Sequence, residues 1–126
     1  LNYAGIAPDK VDYVNAHGTA TQANDIAETV AINQVFGDRA KKLAVSSTKS
    51  MHGHALGASS ALELIASTLA IYHGIIPPTA NFTVADEQCD LDYVPNIARD
   101  WEIDVAISNS FAFGGLNSVI AIRKNS

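Results

Sequence analysis

Sulfur and positive charge are both scarce in this sequence. A single cysteine, Cys89, excludes a disulfide within the chain and suits a reducing compartment, so we expect a cytoplasmic protein. Eight lysines and arginines stand against thirteen aspartates and glutamates, which gives a net charge of −5. Because no basic run alternates with aromatic residues, nucleic acid is not expected as a partner.

Charged residues of either sign are sparse, but no segment of the sequence is predicted to span a membrane. Charged residues make up 17% of the chain and hydrophobic residues 48%, which favours a folded core over disorder. The most apolar stretch, residues 55–72, contains Glu63 and several hydroxyl side chains, so it predicts a buried helix. The chain begins at Leu1 without an initiator methionine or a leader-like segment. We therefore expect one domain, residues 1–126, that is a piece of a longer protein.

Hydrophobic periodicity predicts an α/β domain with the element order β-α-β-α-β-β. The first helix is expected to start at Asn24 or Asp25, and the second at Gly53 or His54. Right-handed crossovers would make the first three strands parallel, and the fourth strand is expected to be antiparallel to the third. Gly53, Gly57 and Ala61 recur every four positions, which predicts a second helix sandwiched between other layers.

Three predicted loops follow the first three strands and contain the unusual chemistry of the chain. They span residues 15–21, 48–54 and 109–115. Open α/β sheets bind ligands at the carboxyl edge of their strands, so we expect these loops to form one site.

Histidines occupy two of these loops, at His17 and His54. Two neutral imidazoles that meet at one point could donate hydrogen bonds to a single oxyanion. Either histidine, taken alone, could instead be a structural residue. A metal site is less favoured because His52 and His54 are two positions apart and no carboxylate lies beside them at the usual ligand spacing.

Lys49 shares a loop with His54, and Glu63 is the only charged residue of the second predicted helix. Lys49 could be a nucleophile, a general base or a charge that tunes the histidines, and its alternative is a surface lysine. A carboxylate in an apolar helix needs a cation, so we predict that Glu63 pairs with Lys49 unless it lies on an exposed edge.

The remaining candidates are hydroxyl and aromatic residues of the same loops. Thr19 and Thr21 could hydrogen-bond an amide-bearing arm, or they could only stabilise the turn. Phe111 and Phe113 could be core aromatics, or one could be a mobile aromatic at a pocket mouth, because glycines follow them. Cys89 lies in an acidic loop that disfavours a thiolate, so it is not expected to be a nucleophile.

Taken together, these loops resemble three motifs of the β-ketoacyl-acyl-carrier-protein synthases, and most closely those of the type II elongating enzyme. The motifs are Asn-Ala-His-Gly-Thr-Ala-Thr at 15–21, Ser-Thr-Lys-Ser-Met-His-Gly-His at 47–54 and Asn-Ser-Phe-Ala-Phe-Gly-Gly-Leu-Asn at 109–117. The resemblance implies that the chain is most of the C-terminal half of a thiolase-like α/β fold, without its opening strand. It also implies that this strand belongs inside the sheet, so we expect an unfilled strand position and an exposed apolar face.

The resemblance further implies a decarboxylative condensation of malonyl carrier protein with an acyl thioester. His17 and His54 would be the two catalytic histidines that hold the enolate oxygen, and Lys49 and Glu63 would be the motif lysine and its partner glutamate. Phe111 would be the gating phenylalanine, whose backbone N–H completes the oxyanion hole for the acyl thioester.

Binding roles and departures also follow from the resemblance. Thr19 and Thr21 would hold the phosphopantetheine arm of the carrier protein, so no other cofactor is expected. The family usually has glycine in place of Ala112, threonine in place of Leu116 and often threonine in place of His52. A stiffer gate is the expected effect of Ala112.

The family's nucleophilic cysteine lies outside this stretch, so the isolated chain is predicted to be inactive. The implied partners are an acyl carrier protein, the N-terminal half of the same protein and a second copy in a homodimer. Three alternatives remain open. They are a non-catalytic subunit like the chain-length factors of polyketide synthesis, a thiolase-like degradative enzyme, which normally has a second cysteine near the final glycines, and a metal hydrolase.

Overall fold

The computed structural model describes residues 1–125, and within that range it contains three α-helices and six strands. The helices are Gln22–Phe36 (α1), Lys49–His52 (α2) and Ser59–His73 (α3). The strands are Tyr13–Asn15 (β1), Ala44–Ser46 (β2), Ile75–Ile76 (β3), Arg99–Asp100 (β4), Val105–Ala112 (β5) and Leu116–Arg123 (β6). Short 3₁₀ turns join several of them.

The main sheet has the strand order β2-β1-β5-β6. The central strand β1 runs parallel to both neighbours, with Val14 opposite Val45 on one side and Ile107 on the other. Strand β6 is antiparallel to β5, and the two-residue strands β3 and β4 form a separate pair. The predicted element order and strand directions are therefore confirmed.

The expectation of an unfilled strand position inside this sheet was wrong. Strand β1 pairs directly with β5, so no strand position is unfilled between them. The described sheet ends at β2 on one side, where Ala44 forms an isolated bridge with Asp92, and at β6 on the other, which pairs only with β5.

Two apolar clusters cover the two faces of the sheet. Successive side chains of a strand point to opposite faces, so Val14 joins one cluster and Tyr13 the other. Helix α1 covers the Val14 face through Ile32 and Phe36, whereas α3 covers the Tyr13 face through Ala70 and Ile71. The result is a layered α/β/α arrangement.

Helix α1 begins one turn earlier than predicted. Thr21, rather than Asn24 or Asp25, is the residue that caps it, and its hydroxyl accepts a hydrogen bond from the Asn24 amide at 3.4 Å. The helix ends at Gly37, as predicted, where φ is +55°.

The second predicted helix is divided into a single turn, α2, and the longer α3. Backbone with positive φ separates them, at Gly53 (φ +79°) and at Leu56 (φ +48°). Gly53 and Gly57 therefore lie outside α3, and the row of small residues predicted along one helix face does not form.

Helix α3 is also not sandwiched in this chain. Its inner face is buried against the sheet, whereas its outer face is exposed to solvent. Large exposed apolar side chains of α3, of the turn before it and of the β5–β6 hairpin form what we call the open face: Leu56, Leu62, Ile65, Leu69, Tyr72, Phe113, Leu116 and Ile120. The exposed apolar face expected from the sequence is present. In residues 1–125, every helix is too short or too polar to be a candidate membrane span.

The hairpin between β5 and β6 is tighter than predicted. Strand β5 extends through Phe111 to Ala112, and the turn contains only Phe113–Gly115. Gly114 and Gly115 both have φ near +80°, a conformation that favours glycine. Phe111 thus lies in regular strand, opposite Asn117, and not in the turn.

Candidate active site

Residues from all three predicted loops meet at the carboxyl ends of the parallel strands. The imidazole centroids of His17 and His54 are 5.8 Å apart with perpendicular rings, and the His17 and Phe111 rings are 5.3 Å apart. A cleft of about 690 Å³ is lined by both histidines, by Thr19 and Thr21 and by both phenylalanines of the hairpin. The structure therefore brings the sequence-predicted residues together.

The tautomer of His54 is set by its neighbours. The backbone N–H of Leu56 donates to His54 Nδ1 at 3.1 Å, so this nitrogen must present a lone pair. Ser59 Oγ lies 3.0 Å from the same nitrogen and accepts the Ala55 N–H at 2.9 Å, which leaves its own proton for Nδ1. A neutral His54 therefore carries its proton on Nε2.

His17 is half-buried and is held in its neutral form. Burial and the nearby Lys49 ammonium lower the pKa of His17 below 6.5, and His54 adds to this effect, whereas the Glu28 and Asp25 carboxylates oppose it. Its Nδ1 atom is buried and has no hydrogen-bond partner within residues 1–125. No contact in this part of the chain thus fixes the tautomer of His17 as Leu56 fixes that of His54.

Lys49 and Glu63 form a buried ion pair, as predicted. Lys49 Nζ donates to Glu63 Oε1, and the two side chains are 4% and 1% exposed. Their burial excludes the surface-lysine and exposed-glutamate alternatives. The pair places a positive charge near His17, where it favours the neutral imidazole.

Asn15 is a structural residue of the site that the sequence analysis did not single out. Its buried side-chain amide lies 3.2 Å from Thr48 Oγ1, 3.3 Å from the Glu63 carbonyl oxygen and 3.2 Å from Ser67 Oγ. Asn15 ends strand β1, so this amide fixes His17, two residues later, relative to the Lys49 turn and to helix α3.

Glu28 is the second residue that the sequence analysis missed, because a glutamate in the first turns of a helix usually faces water. It is 5% exposed, and its carboxylate accepts hydrogen bonds from the backbone N–H groups of His17 and Gly18. The amide of Asn109, at the end of the buried part of β5, donates to the same carboxylate. The only signal in the sequence was the spacing to Ile32. Ile32 lies four residues after Glu28, so the two side chains share the buried side of α1.

The two threonines lie side by side at the cleft wall. Their hydroxyl oxygens are 3.1 Å apart, and Thr21 also caps α1. Both threonines line the cleft, and Thr21 also has the turn-stabilising role because it caps α1.

The two phenylalanines occupy different settings. Phe111 is held by strand pairing and by its contact with His17, whereas Phe113 lies at the hairpin tip and is 96% exposed. Both rings line the histidine cleft.

Cys89 is not part of the histidine cleft. It lines a neighbouring cavity of about 550 Å³, which shares Thr19 and His54 with that cleft. Within residues 1–125, no three histidine, cysteine or acidic side chains are grouped in a way that could hold a metal ion. The cleft brings two imidazoles together, His17 with a lowered pKa and His54 with its Nδ1 occupied.

Known proteins are similar to this chain in sequence and in fold. The family described as the beta-ketoacyl synthase C-terminal domain matches residues 1–83. Nodulation protein E of Rhizobium sp. (strain N33) is 55% identical over 121 residues, which are 96% of this chain and 30% of that protein. The 3-oxoacyl-[acyl-carrier-protein] synthase 2 of Coxiella burnetii is 57% identical over 124 residues, which are 98% of this chain and 30% of that protein.

A solved structure extends the likeness to three dimensions. It is described as a type II polyketide synthase acyl-carrier protein in complex with its ketosynthase bound to the hexaketide, and it matches with a TM-score of 0.97 and 42% identity. The match covers 100% of this chain and 31% of that one. The chain therefore spans about 30% of the length of the relatives it matches.

Proposed function

This chain belongs to the β-ketoacyl synthase family through its C-terminal domain, and we propose that it supplies the decarboxylating part of the active site of a 3-oxoacyl-[acyl-carrier-protein] synthase. The observation that carries the proposal is the approach of His17 and His54 to 5.8 Å in one open cleft. The 57% identity to the Coxiella burnetii enzyme supports the reaction type.

In the proposed reaction, a malonyl thioester loses CO₂ while both imidazoles hold its thioester oxygen. The bond between the carboxylate carbon and the α-carbon breaks, and its electron pair forms an enolate. His54 donates from Nε2, because its Nδ1 is occupied, and His17 donates from the nitrogen that faces the cleft. Donors aimed at a developing oxyanion lower the barrier because they need no reorganisation during the reaction.

The buried Lys49–Glu63 pair would keep the His17 imidazole neutral. Protonation of His17 near the Lys49 ammonium would bring two positive charges together and is therefore unfavourable, which agrees with the lowered pKa of His17. Glu63 in turn offsets the cost of burying that ammonium. The carbanion would then attack an acyl thioester on a cysteine outside this chain and release the thiolate, which gives a 3-oxoacyl product.

The same cleft would receive the substrate arm. Thr19 and Thr21 present adjacent hydroxyls that could bind the amides of a phosphopantetheine arm. Phe111 is proposed as the gate, because its ring lies in the cleft against His17 and two glycines with positive φ follow it in the same hairpin.

The proposed partners follow from what the chain leaves open. The rest of the same polypeptide would cover the open face, because an apolar surface of this extent is unusual on an isolated domain and the relatives are about three times longer. An acyl carrier protein would deliver the substrate, as in the complex of the polyketide relative. A cytoplasmic homodimer that works in fatty-acid synthesis is the form that we propose for the whole protein.

The test is condensation by the full-length polypeptide with acyl and malonyl carrier proteins. We expect an acyl-enzyme on a cysteine outside residues 1–126 and a 3-oxoacyl product, and we expect no acyl transfer to the 126-residue chain alone. Acyl transfer to the isolated chain would contradict the assignment of the nucleophile. If the full-length protein forms no acyl-enzyme but assembles with a related synthase, the alternative of a chain-length-factor-like subunit takes its place.

A further inference from the structure

We propose that Thr79 is a positioning residue of this site, although it lies outside the histidine cleft. Its hydroxyl holds Ser47, the residue at which the His17 loop and the Lys49 turn are joined. The inference rests on the proposed function, because it assigns a purpose to the positions of His17 and Lys49. It goes beyond that function because Thr79 belongs to the segment between β3 and β4, residues 77–98, which takes no part in the proposed reaction.

Ser47 connects two parts of the site. Its hydroxyl donates to the Gly18 carbonyl oxygen at 2.7 Å, which ties it to the residue that follows His17. Its own carbonyl oxygen accepts the Ser50 N–H at 3.1 Å and the Ser50 hydroxyl at 2.7 Å. The contact is close, because a Cβ at Gly18 would lie 2.5 Å from Ser47 Cβ. The position of Ser47 therefore sets the His17 loop relative to the turn that contains Lys49.

The backbone N–H of Ser47 has a side chain as its acceptor. It donates to Thr79 Oγ1 at 3.1 Å, although the two residues are 32 positions apart in the sequence. Strand β2 ends one residue earlier, at Ser46, so Ser47 lies beyond the strand ladder. Ser47 is only 9% exposed, so water does not readily replace this acceptor. Loss of the Thr79 hydroxyl would thus leave a buried donor unpaired.

The backbone of Thr79 is fixed by other contacts. Its N–H donates to the Val94 carbonyl oxygen at 2.9 Å, and its carbonyl oxygen accepts the Asn96 N–H at 2.9 Å. The hydroxyl therefore projects from a backbone that the far end of the β3–β4 segment holds in place. Removal of the hydroxyl should break the contact with Ser47 and leave this backbone pairing intact.

A second hydrogen bond joins the same segment to the turn. The Ala80 N–H donates to Ser50 Oγ at 2.8 Å. The β3–β4 segment thus holds the turn on both sides of Lys49, at Ser47 and at Ser50. Because the Lys49 ammonium lowers the pKa of His17, the position of this turn also sets the charge that His17 experiences.

The experiment compares Thr79→Val with Thr79→Ser in the full-length protein. Valine has the shape of threonine without the hydroxyl, whereas serine keeps the hydroxyl and loses only a methyl group. We expect Thr79→Val to lower kcat for malonyl carrier protein decarboxylation by about three- to tenfold, the factor that loss of one neutral hydrogen bond gives. Thr79→Ser should stay within about twofold of wild type. KM should change less than about twofold in both variants, because Thr79 does not line the cleft proposed for the substrate arm.

Thr83→Val is the matched control. Thr83 belongs to the same segment and is exposed, so the same substitution there should leave kcat and KM unchanged. A role confined to stability would lower the urea midpoint of Thr79→Val and leave the kcat of the folded enzyme at the wild-type value. A lower kcat at constant KM, with recovery in Thr79→Ser, therefore identifies positioning.

The imidazole titration of His17, followed by NMR, tests the inference independently of the proposed function. Besides burial, four neighbours act on this pKa: Lys49 and His54 lower it, whereas Glu28 and Asp25 raise it. In Thr79→Val the unpaired Ser47 N–H should turn towards water, which draws the turn away from the His17 loop. The effect of Lys49 then weakens, so the titration should move to higher pH, towards 6.5.

The outcomes remain separable. If Thr79→Val does not fold, Ser50→Ala removes the second contact and spares Thr79, and kcat should again fall about three- to tenfold. If the wild type releases no CO₂, the proposed function fails, and the His17 titration alone decides the inference. Wild-type kcat or an unmoved His17 titration in a folded Thr79→Val or Ser50→Ala variant would overturn the proposal, as would an equal loss of kcat in Thr79→Ser.

Discussion

Removal of the Glu63 charge should strongly destabilise the protein. In Glu63→Gln the Lys49 ammonium stays buried without its counter-ion, since its side chain is only 4% exposed. Breaking a buried pair by removing one partner costs about 3–5 kcal/mol. With a urea m value of about 1–3 kcal/mol/M, the unfolding midpoint should fall by at least about 1 M.

The matched control removes both charges. Lys49→Met combined with Glu63→Leu keeps similar volumes and leaves no uncompensated charge, so it should cost much less than Glu63→Gln alone, and about zero is a typical outcome. Urea unfolding followed by circular dichroism measures all three proteins. A Glu63→Gln variant within about 0.5 kcal/mol of wild type would refute a buried, charged pair.

Two further predictions concern the His17 loop. Gly18→Ala should destabilise the protein by about 1–3 kcal/mol in the same assay, because φ is +40° and a Cβ would lie 2.5 Å from Ser47 Cβ. Ser47→Gly should recover part of that loss, and a neutral Gly18→Ala would show that the two loops do not approach so closely. Because the pKa of His17 is lowered in the folded protein, the unfolded chain binds the proton more readily. The contribution of His17 to stability is therefore present above pH 6.5 and is lost as the pH falls through the lowered pKa. His17→Asn should flatten the part of the stability profile that lies below pH 6.5, and an unchanged profile would contradict the lowered pKa.

Much of the site could be predicted from the sequence because strand direction follows from connection handedness. Once β1, β2 and β5 are parallel, the loops after them must meet at one edge. The Lys49–Glu63 pair was also predictable, because a charge in an apolar helix requires a partner. Neither argument needs side-chain coordinates.

Other features depend on tertiary contacts that leave no local pattern. Glu28 looks like a solvated glutamate near a helix start, and only the folded chain brings Asn109 to it across 81 positions. The break between α2 and α3 was missed because Leu56 adopts a positive φ that its type rarely accepts. The order of β1 and β5 in the sheet likewise follows from packing on both faces and not from either strand alone.

The central claim is that two neutral imidazoles hold one enolate oxygen, and the release of CO₂ from malonyl carrier protein by the full-length polypeptide tests it most directly. His17→Ala and His54→Ala should each lower the rate by about 10²–10³-fold, as expected for loss of one oxyanion donor. Because the rings lie 5.8 Å apart and act on one atom, neither variant should retain the wild-type rate. Decarboxylation at the wild-type rate in either variant would contradict the account.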